Sequence, residues 1–352
     1  MYVKVMSKYD ILSLSIGKGK IIMIRKFTIR NFKCYGKQGA TFDLSRITFV
    51  YGNNSVGKSS FLDALTILDK AQRKRDFVAR SNGFKNGHIA AEDEWQLECS
   101  DLEGHAYNWE LSSNSESKWI LVDHDSRERI TEPLYNQCVP SMEHVQAGDI
   151  KKKEVSGLEA LVAGMEGDDA DVLTQEEVAD INNMFKDLNV NYSCSIDGSL
   201  TDLDFDMAGL SVDKVGTGIR GIYRYLKAMA KWKSGLLLLE EPEANVNESQ
   251  LQALAQLLVC VALKRGENDA NAQLVVECHS EHVMLEVMRM VATEKLRCED
   301  VCILYVVKEK IGACPTRCMI NSEGTLDKWP AEGGFFAARK RILFGRDVQY
   351  DR

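Results

Sequence analysis

The chain has 352 residues, of which 45% are hydrophobic and 27% charged, and its formal net charge is −8. This composition excludes disordered, collagen-like and purely coiled-coil proteins, and the acidic balance argues against general nucleic-acid binding. No apolar run approaches the roughly 18 residues of a membrane span, so we predict a cytoplasmic protein with no membrane partner.

Charge is distributed unevenly along the chain. Residues 91–210 contain 28 Asp and Glu against 7 Lys and Arg, which leaves a net charge of +13 on the other 232 residues. The acidic part is typical of a solvated lobe. The basic part could face the phosphates of a nucleotide or of a nucleic acid, so nucleic acid stays open as a partner.

The first predicted elements begin at Met23. Residues 24–32 alternate as a strand does, residues 33–43 predict a turn and a second strand, and residues 47–51 predict a short buried strand. Residues 1–22 are interpreted as an N-terminal extension, which is an added segment, a genuine extra strand or the result of a mis-called start codon.

A glycine-rich motif joins the strand at 47–51 to a predicted helix that begins at Lys58. Residues 52–59, GNNSVGKS, fit the pattern G-x-x-x-x-G-K-[ST] in full. Backbone N–H groups and the helix N-terminus suit phosphates, while Lys58 adds charge and Ser59 offers a hydroxyl to Mg²⁺. The predicted nucleotide-binding residues here are Gly52, Asn53, Asn54, Ser55, Val56, Gly57, Lys58, Ser59 and Ser60.

The middle of the chain has a different pattern. Residues 76–130 predict an antiparallel β ribbon, and residues 141–190 predict helices interrupted by glycines. We therefore expect residues 76–208 to form an inserted acidic lobe, with a β ribbon followed by helices.

Strands and helices alternate again from residue 209. The predicted helices cover 217–231, 248–264 and 280–292, and the predicted strands cover 235–239, 273–277 and 301–307. Such alternation is typical of a mostly parallel sheet, which the strand at 47–51 would join. Residues 23–75 and 209–345 would then form one core.

Two glutamates follow the four leucines at 236–239. At the carboxyl edge of a parallel sheet, Glu240 would hold Mg²⁺ and Glu241 would polarise an attacking water. Alone, the pattern is equally typical of an ordinary strand end. Paired with the motif at 52–59, it favours nucleotide hydrolysis.

A histidine follows the next predicted strand. His279 could hydrogen-bond the γ-phosphate or the water, or it could serve as a helix cap, and the adjacent strand favours the functional role. His282 is expected to be structural. The acidic run Asp202-Leu-Asp204-Phe-Asp206 is interpreted as a solvated turn rather than a metal site.

Ten cysteines are scattered along the chain, which favours reduced thiols. The spacing of Cys298 and Cys302, and of Cys314 and Cys318, admits a zinc site. Buried or half-buried strands explain these residues better, because Cys302 lies inside a predicted strand.

The glycine-rich motif, the strand with the two glutamates and the strand with the histidine, taken in this order, resemble the ABC-type ATPase heads of the SMC and recombination-repair group. They look most like the coiled-coil-free AAA ATPases related to the overcoming-lysogenization-defect proteins, many of which occur in bacterial phage-defence operons. The matching segments are 24–32, 51–60, 236–244, 276–282 and 329–336.

The resemblance implies an α/β fold of the P-loop NTPase, ABC-ATPase-head type, with a mostly parallel sheet. It also implies ATP hydrolysis that requires Mg²⁺. Lys58, Glu241 and His279 would be catalytic, and Ser59 and Glu240 would hold the metal. A GTPase is not expected, because the sequence contains no N-K-x-D segment.

In such heads, a signature segment of one protomer closes over ATP bound to the other. The resemblance therefore implies a homodimer with ATP between the heads, or a higher even oligomer. The candidate segment is 215–221, in which Gly216, Gly218 and Arg220 would meet ATP; it is not L-S-G-G-Q. Arg220 is either a charge for the partner's γ-phosphate or a surface arginine. Lys33 occupies a position that approaches the nucleotide in related heads.

The resemblance also implies that ATP-driven closure controls a separate effector, a nuclease or a toxin, in anti-phage defence. Related nucleases carry a Toprim domain after the ATPase, and none is expected here, since about seven residues follow the family-like core that ends at residue 345. Two alternatives stay open. One is an ATP-loaded scaffold that cages an effector without hydrolysis, and the other is a DNA-engaging repair head.

Overall fold

The computed structural model describes residues 23–73, 95–101, 106–111, 120–123, 129–130, 142–145 and 172–328. The interpretations made for residues 1–22, for the glycine-interrupted helices before 172 and for 329–336 lie outside these residues.

The described strands and helices follow one another in this order along the chain: β1 (Ile24–Arg30), β2 (Ala40–Asp43), β3 (Ile47–Gly52), α1 (Lys58–Arg73), β4 (Trp95–Asp101), β5 (Ala106–Leu111), β6 (Ile120–Asp123), β7 (Arg129–Ile130), β8 (Met142–Val145), α2 (Gln175–Asp187), β9 (Tyr192–Cys194), β10 (Leu200–Asp202), β11 (Met207–Leu210), α3 (Thr217–Lys231), β12 (Leu236–Glu240), α4 (Leu251–Asn268), β13 (Gln273–Glu277), α5 (Glu281–Ala292), β14 (Val301–Glu309) and β15 (Gly312–Cys318).

The central sheet of the described part has the strand order β15-β14-β3-β13-β12-β8. Neighbouring strands are parallel except β15, which forms an antiparallel hairpin with β14. Because parallel strands end at the same edge, the loops after β3, β12 and β13 meet there. The predicted mostly parallel sheet is confirmed.

Two further sheets are antiparallel. One has the order β2-β1-β4-β5-β6-β7, and the other has the order β11-β10-β9. The ribbon predicted in the middle of the chain corresponds to β4, β5 and β6, which pair in sequence.

Hydrophobic cores cover both faces of the central sheet. Leu237 and Leu239 of β12 pack in a core with helices α2 to α5, whereas Leu236 and Leu238 pack with the first turns of α1 and with β1 and β2. This alternation follows from the two-residue period of a strand, and it explains why four consecutive leucines are all buried.

Two described strands of residues 76–208, the segment expected to form an inserted acidic lobe, pair with strands of the core. β4 hydrogen-bonds to β1, and β8 extends the parallel sheet beside β12, so this segment contributes strands to both large sheets. Residues 142–145 are accordingly a strand and not the start of a helix. Pairing with the buried β12 overrides the local pattern, as is common for short strands.

The strand interpretation of the cysteines agrees with the structure, because Cys302 and Cys318 are buried in β14 and β15. The acidic run is an exposed turn at Asp204 and Asp206. Asp202, in contrast, is buried at the end of β10, where it accepts hydrogen bonds from the Tyr192 hydroxyl at 2.6 Å and from the backbone N–H of Asp204 at 3.0 Å. Within the described ranges, no helix is long and apolar enough to span a membrane.

Candidate nucleotide-binding site

The loop between β3 and α1 has the geometry that the glycine-rich motif predicts. Gly52 and Gly57 have φ angles of +147° and +119°, which L side chains rarely adopt. A Cβ on Gly52 would lie 2.4 Å from the Val306 carbonyl oxygen, and one on Gly57 would lie 2.5 Å from Cys34 Sγ. Both glycines are therefore required by backbone conformation and by space.

The turn after β1 anchors this loop. The Tyr35 hydroxyl donates a hydrogen bond to the Gly57 carbonyl at 2.7 Å, and Tyr35 is itself buried. Burial also raises the pKa of this hydroxyl well above its usual range, so it stays protonated and able to donate. Sequence reasoning missed Tyr35, because a tyrosine in a turn carries no motif.

Lys58 opens α1 and is buried, with 3% of its side chain exposed. Its Nζ donates to the Asn53 carbonyl at 3.0 Å and lies 3.6 Å from Glu277 Oε1. Ser59 Oγ lies within hydrogen-bond distance of both Glu277 carboxylate oxygens, at 3.2 and 3.0 Å. Among the described contacts, Glu277 is therefore the acid that faces both motif residues.

Glu277 is the last residue of β13, and sequence reasoning gave it no role. Its side chain is 3% exposed. Burial raises the pKa of Glu277 to about 7, with the nearby carboxylates of Glu240 and Glu241 adding to the rise and Lys58 and Ser59 opposing it. An acid at the end of a buried strand, next to the strand that leads into the loop, was the available signal.

Glu240 and Glu241 follow β12 as predicted. Glu240 pairs in register with Glu277, which places the two predicted strand ends side by side. Glu241 has a left-handed backbone with φ +46°, uncommon for a residue with a side chain, and its N–H donates to the Glu277 carbonyl at 2.9 Å. This turn directs the chain across the end of β13.

His279 lies beside Glu241 at the same edge. Its Nε2 is 3.1 Å from Glu241 Oε1, and its backbone N–H donates to the Glu243 carboxylate. Burial and the positive charge of Lys58 lower the pKa of His279, so the imidazole is neutral near pH 7. In the part of the chain that the structure describes, the group of potential metal ligands comprises Glu241, Glu277 and His279.

The other predicted site residues lie at the periphery. The Lys33 ammonium pairs with Asp63 of α1, and Lys33 has a left-handed backbone with φ +49°. His282 Nε2 lies 3.0 Å from Glu248 Oε1 on the surface, which agrees with its predicted structural role.

The candidate signature residues lie at the start of α3. Gly216 is its N-cap, Gly218 and Arg220 lie in its first turn, and Gly216 is exposed. Further along α3, the Tyr225 hydroxyl donates to the Glu240 carbonyl. At 1.5 Å per residue, about 13 Å of helix separates Gly216 from this contact. α3 thus connects an exposed glycine end to the strand that carries Glu240.

The residues present fit a magnesium ion. The Ser59 hydroxyl and the Glu240 and Glu277 carboxylates are oxygen donors, which are the ligands that Mg²⁺ prefers, and the first and third are in contact. These residues would hold it beside the loop.

Comparison with known proteins agrees with this geometry. Residues 23–108 match the family described as an AAA ATPase domain. An SMC head bound to the C-terminal winged-helix domain of ScpA is 16% identical, with 85% of this chain and 98% of that one covered and a TM-score of 0.55. An Smc head with an extended coiled coil bound to the C-terminal domain of ScpA, derived from Pyrococcus furiosus, is 13% identical, with coverages of 84% and 96% and a TM-score of 0.52.

The fold is that of an SMC head. The AAA ATPase match runs through the loop and through β4, so it crosses the boundary once expected at residue 76. No curated protein shows significant similarity to the chain.

Proposed function

We propose that the protein is a Mg²⁺-dependent ATPase of the SMC and ABC head kind. The contact of Glu241 with His279, 3.1 Å apart at the edge where the phosphate loop also ends, is the main support. A carboxylate beside a neutral imidazole next to a buried lysine suits attack of water on a phosphate.

Each residue has a distinct role in this proposal. Lys58 binds the β- and γ-phosphates, and Glu241 orients the attacking water and accepts its proton. His279 hydrogen-bonds the γ-phosphate or the water, and its neutral state avoids a second positive charge beside Lys58. Magnesium, when bound, would neutralise charge on the phosphate oxygens.

Phosphate release from ATP tests the proposal. Lys58→Ala removes the buried cation, and we expect it to abolish ATP binding at micromolar concentrations. Glu241→Gln keeps the shape but accepts no proton, so hydrolysis should fall by roughly 10²- to 10³-fold while ATP still binds. Glu267→Gln, exposed near the end of α4, serves as the matched control and should retain the wild-type rate.

One result would contradict hydrolysis as the function, and another would contradict the location of the site. If Glu241→Gln and the wild type release phosphate equally slowly while both bind ATP, the ATP-loaded scaffold is favoured. If Lys58→Ala hydrolyses ATP at the wild-type rate, the site is not the one described.

We further propose that two copies close around ATP and that closure controls a separate effector protein. The exposed Gly216 at the start of α3 supports closure. The backbone N–H groups at a helix N-terminus bind phosphate, and this end of α3 could meet a phosphate held by another copy. The SMC heads to which this chain is similar were solved bound to ScpA, which makes a protein partner a reasonable expectation here. A nuclease or toxin, and a role in anti-phage defence, follow from the family resemblance alone.

A further inference from the structure

One buried carboxylate contacts both of the side chains that a triphosphate would require. Ser59 Oγ donates to Glu277 at 3.0 Å, and Lys58 Nζ lies 3.6 Å from the same carboxylate. In a loaded phosphate loop, the lysine contacts the phosphates and the hydroxyl contacts the metal ion. A nucleotide must therefore take both residues from Glu277.

Glu277 is buried, and strands on both sides fix the position of its backbone. Its side chain is 3% exposed, and its backbone is paired with Val50 of β3 on one side and with Glu240 of β12 on the other. The carboxylate is thus held between the strand that leads into the loop and the strand that carries the glutamates. It remains next to any phosphate bound there.

The charges at this edge disfavour a bare nucleotide. Lys58 carries one positive charge, whereas Glu240 and Glu277 are paired in register at neighbouring strand ends and Glu241 donates its N–H to the Glu277 carbonyl. Free ATP brings about four more negative charges at neutral pH. Repulsion between a buried carboxylate and a phosphate a few ångströms away is large, because the surroundings screen it weakly.

We propose that Glu277 makes nucleotide binding depend on a divalent cation. Without the cation, Glu277 occupies Ser59 and Lys58 and repels the triphosphate. With the cation, the Glu277 charge is compensated and Ser59 and Lys58 are released to the ligand. The inference rests on the proposed ATPase function, since it assigns a role to Glu277 in the same site.

A packing role for Glu277 leads to a different expectation. Glutamine has the same size and shape and can still accept a hydrogen bond from Ser59. If Glu277 only fills space, then Glu277→Gln leaves the cation dependence of binding as it is in the wild type.

The test measures binding of a fluorescent ATP analogue by fluorescence anisotropy at pH 8.5, where the Glu277 carboxyl is ionised, once with Mg²⁺ and once with EDTA. We expect the wild type to lose affinity on the order of 100-fold when Mg²⁺ is removed. Glu277→Gln should lose less than about tenfold, mainly because it binds the metal-free analogue more tightly. Glu277→Asp keeps the charge and should keep the wild-type ratio, as should Glu267→Gln, which removes an exposed charge elsewhere.

The outcomes separate this inference from the proposed function. Equal wild-type affinity with and without Mg²⁺, or an unchanged ratio in Glu277→Gln, overturns the role of Glu277 and leaves the ATPase proposal standing. Absence of binding by the wild type in both buffers refutes the ATPase proposal itself. If Glu277→Gln does not fold, as judged by circular dichroism, Glu277→Met tests the same loss of charge with a side chain of similar length.

Discussion

At the carboxyl edge of the central sheet, the surroundings of Glu277 and His279 disfavour the charged form of each side chain. Burial raises the pKa of Glu277 to about 7 and lowers the pKa of His279. Neighbouring groups whose pKa values are shifted in opposite directions are typical of acid–base sites. Here His279 Nε2 lies 3.9 Å from Glu277 Oε1. At the residue scale, the site is defined by these neighbours as much as by the glycine-rich motif.

The Glu277 carboxyl should make the nucleotide-free protein less stable as the pH rises. The folded protein binds the carboxyl proton more tightly than the unfolded chain does, because the pKa of this carboxyl is near 4.5 in the unfolded chain and about 7 in the folded protein. The free energy of unfolding therefore falls by up to ~3 kcal/mol between pH 4.5 and about 7. Glu277→Gln removes the effect. Its midpoint of thermal unfolding, relative to the wild type, should therefore rise by roughly 5 °C more at pH 8 than at pH 4.5 in EDTA.

Differential scanning fluorimetry at the two pH values checks this expectation. Glu267→Gln, which changes an exposed carboxylate, should shift the midpoint equally at both. A Glu277→Gln shift that does not depend on pH would show that the buried carboxyl has an ordinary pKa.

Motif residues could be predicted at this scale, and their partners could not. Lys58, Ser59, Glu241 and His279 lie at the predicted edge because the parallel strands β3, β12 and β13 all end there. Glu277 and Tyr35 act through contacts between segments that are distant in sequence, 218 residues apart for Glu277 and Ser59. Such pairs depend on strand register, which residue spacing does not provide.

Among the elements, α3 has a particular position because it touches both the candidate signature segment and the glutamate strand. Its Tyr225 hydroxyl donates to the Glu240 carbonyl, and burial, together with the nearby glutamates, raises the pKa of Tyr225. A movement of α3 would therefore be transmitted to Glu240 and Glu241.

Tyr225→Phe should uncouple these two elements. The substitution removes a hydrogen bond from a largely buried hydroxyl, and we expect the free energy of unfolding to fall by about 1–2 kcal/mol. The affinity for ATP should stay within roughly twofold of the wild-type value. The rate of hydrolysis should fall by about tenfold or more, because the backbone at Glu240, just before Glu241, is no longer held by the Tyr225 hydroxyl.

Tyr223→Phe provides the matched control for this measurement. It removes a hydroxyl from the same helix, where Tyr223 donates to the Gly198 carbonyl at 3.2 Å, away from the glutamates. Its stability should fall similarly while its rate of phosphate release stays unchanged. Equal losses of rate in both variants would mean that α3 acts only through general stability.

Regular elements were predicted well where a periodic pattern is long or a strand is wholly apolar. The helix over 217–231 and the strand over 273–277 have the predicted bounds. The short strand β8 was missed, because it has four residues and no distinguishing pattern and lies in a segment that was predicted to be helical. Its conformation depends on pairing with β12.

For the molecule as a whole, the testable consequence is association of two copies around ATP. Gly216 is exposed, and a Cβ placed there meets no atom within 4 Å, so the single chain accommodates a larger residue. Gly216→Trp should therefore fold and bind ATP normally, yet block closure by its bulk. Hydrolysis should fall by at least about tenfold, because the second copy no longer completes the site.

Light scattering after size-exclusion chromatography measures this directly. Glu241→Gln with Mg²⁺ and ATP should elute at twice the mass of one chain, and Glu241→Gln combined with Gly216→Trp should elute as a single chain. The control that combines Glu241→Gln with Glu267→Trp should still associate. Association that survives Gly216→Trp would place the interface elsewhere.

The pairing of β4 with β1 and of β8 with β12 limits how the protein can be shortened. A fragment trimmed to the segments that carry the recognisable motifs would leave two apolar strands with open backbone groups, which are templates for self-association into insoluble material. Any minimal working version must retain residues 95–101 and 142–145, whose backbones complete the two sheets.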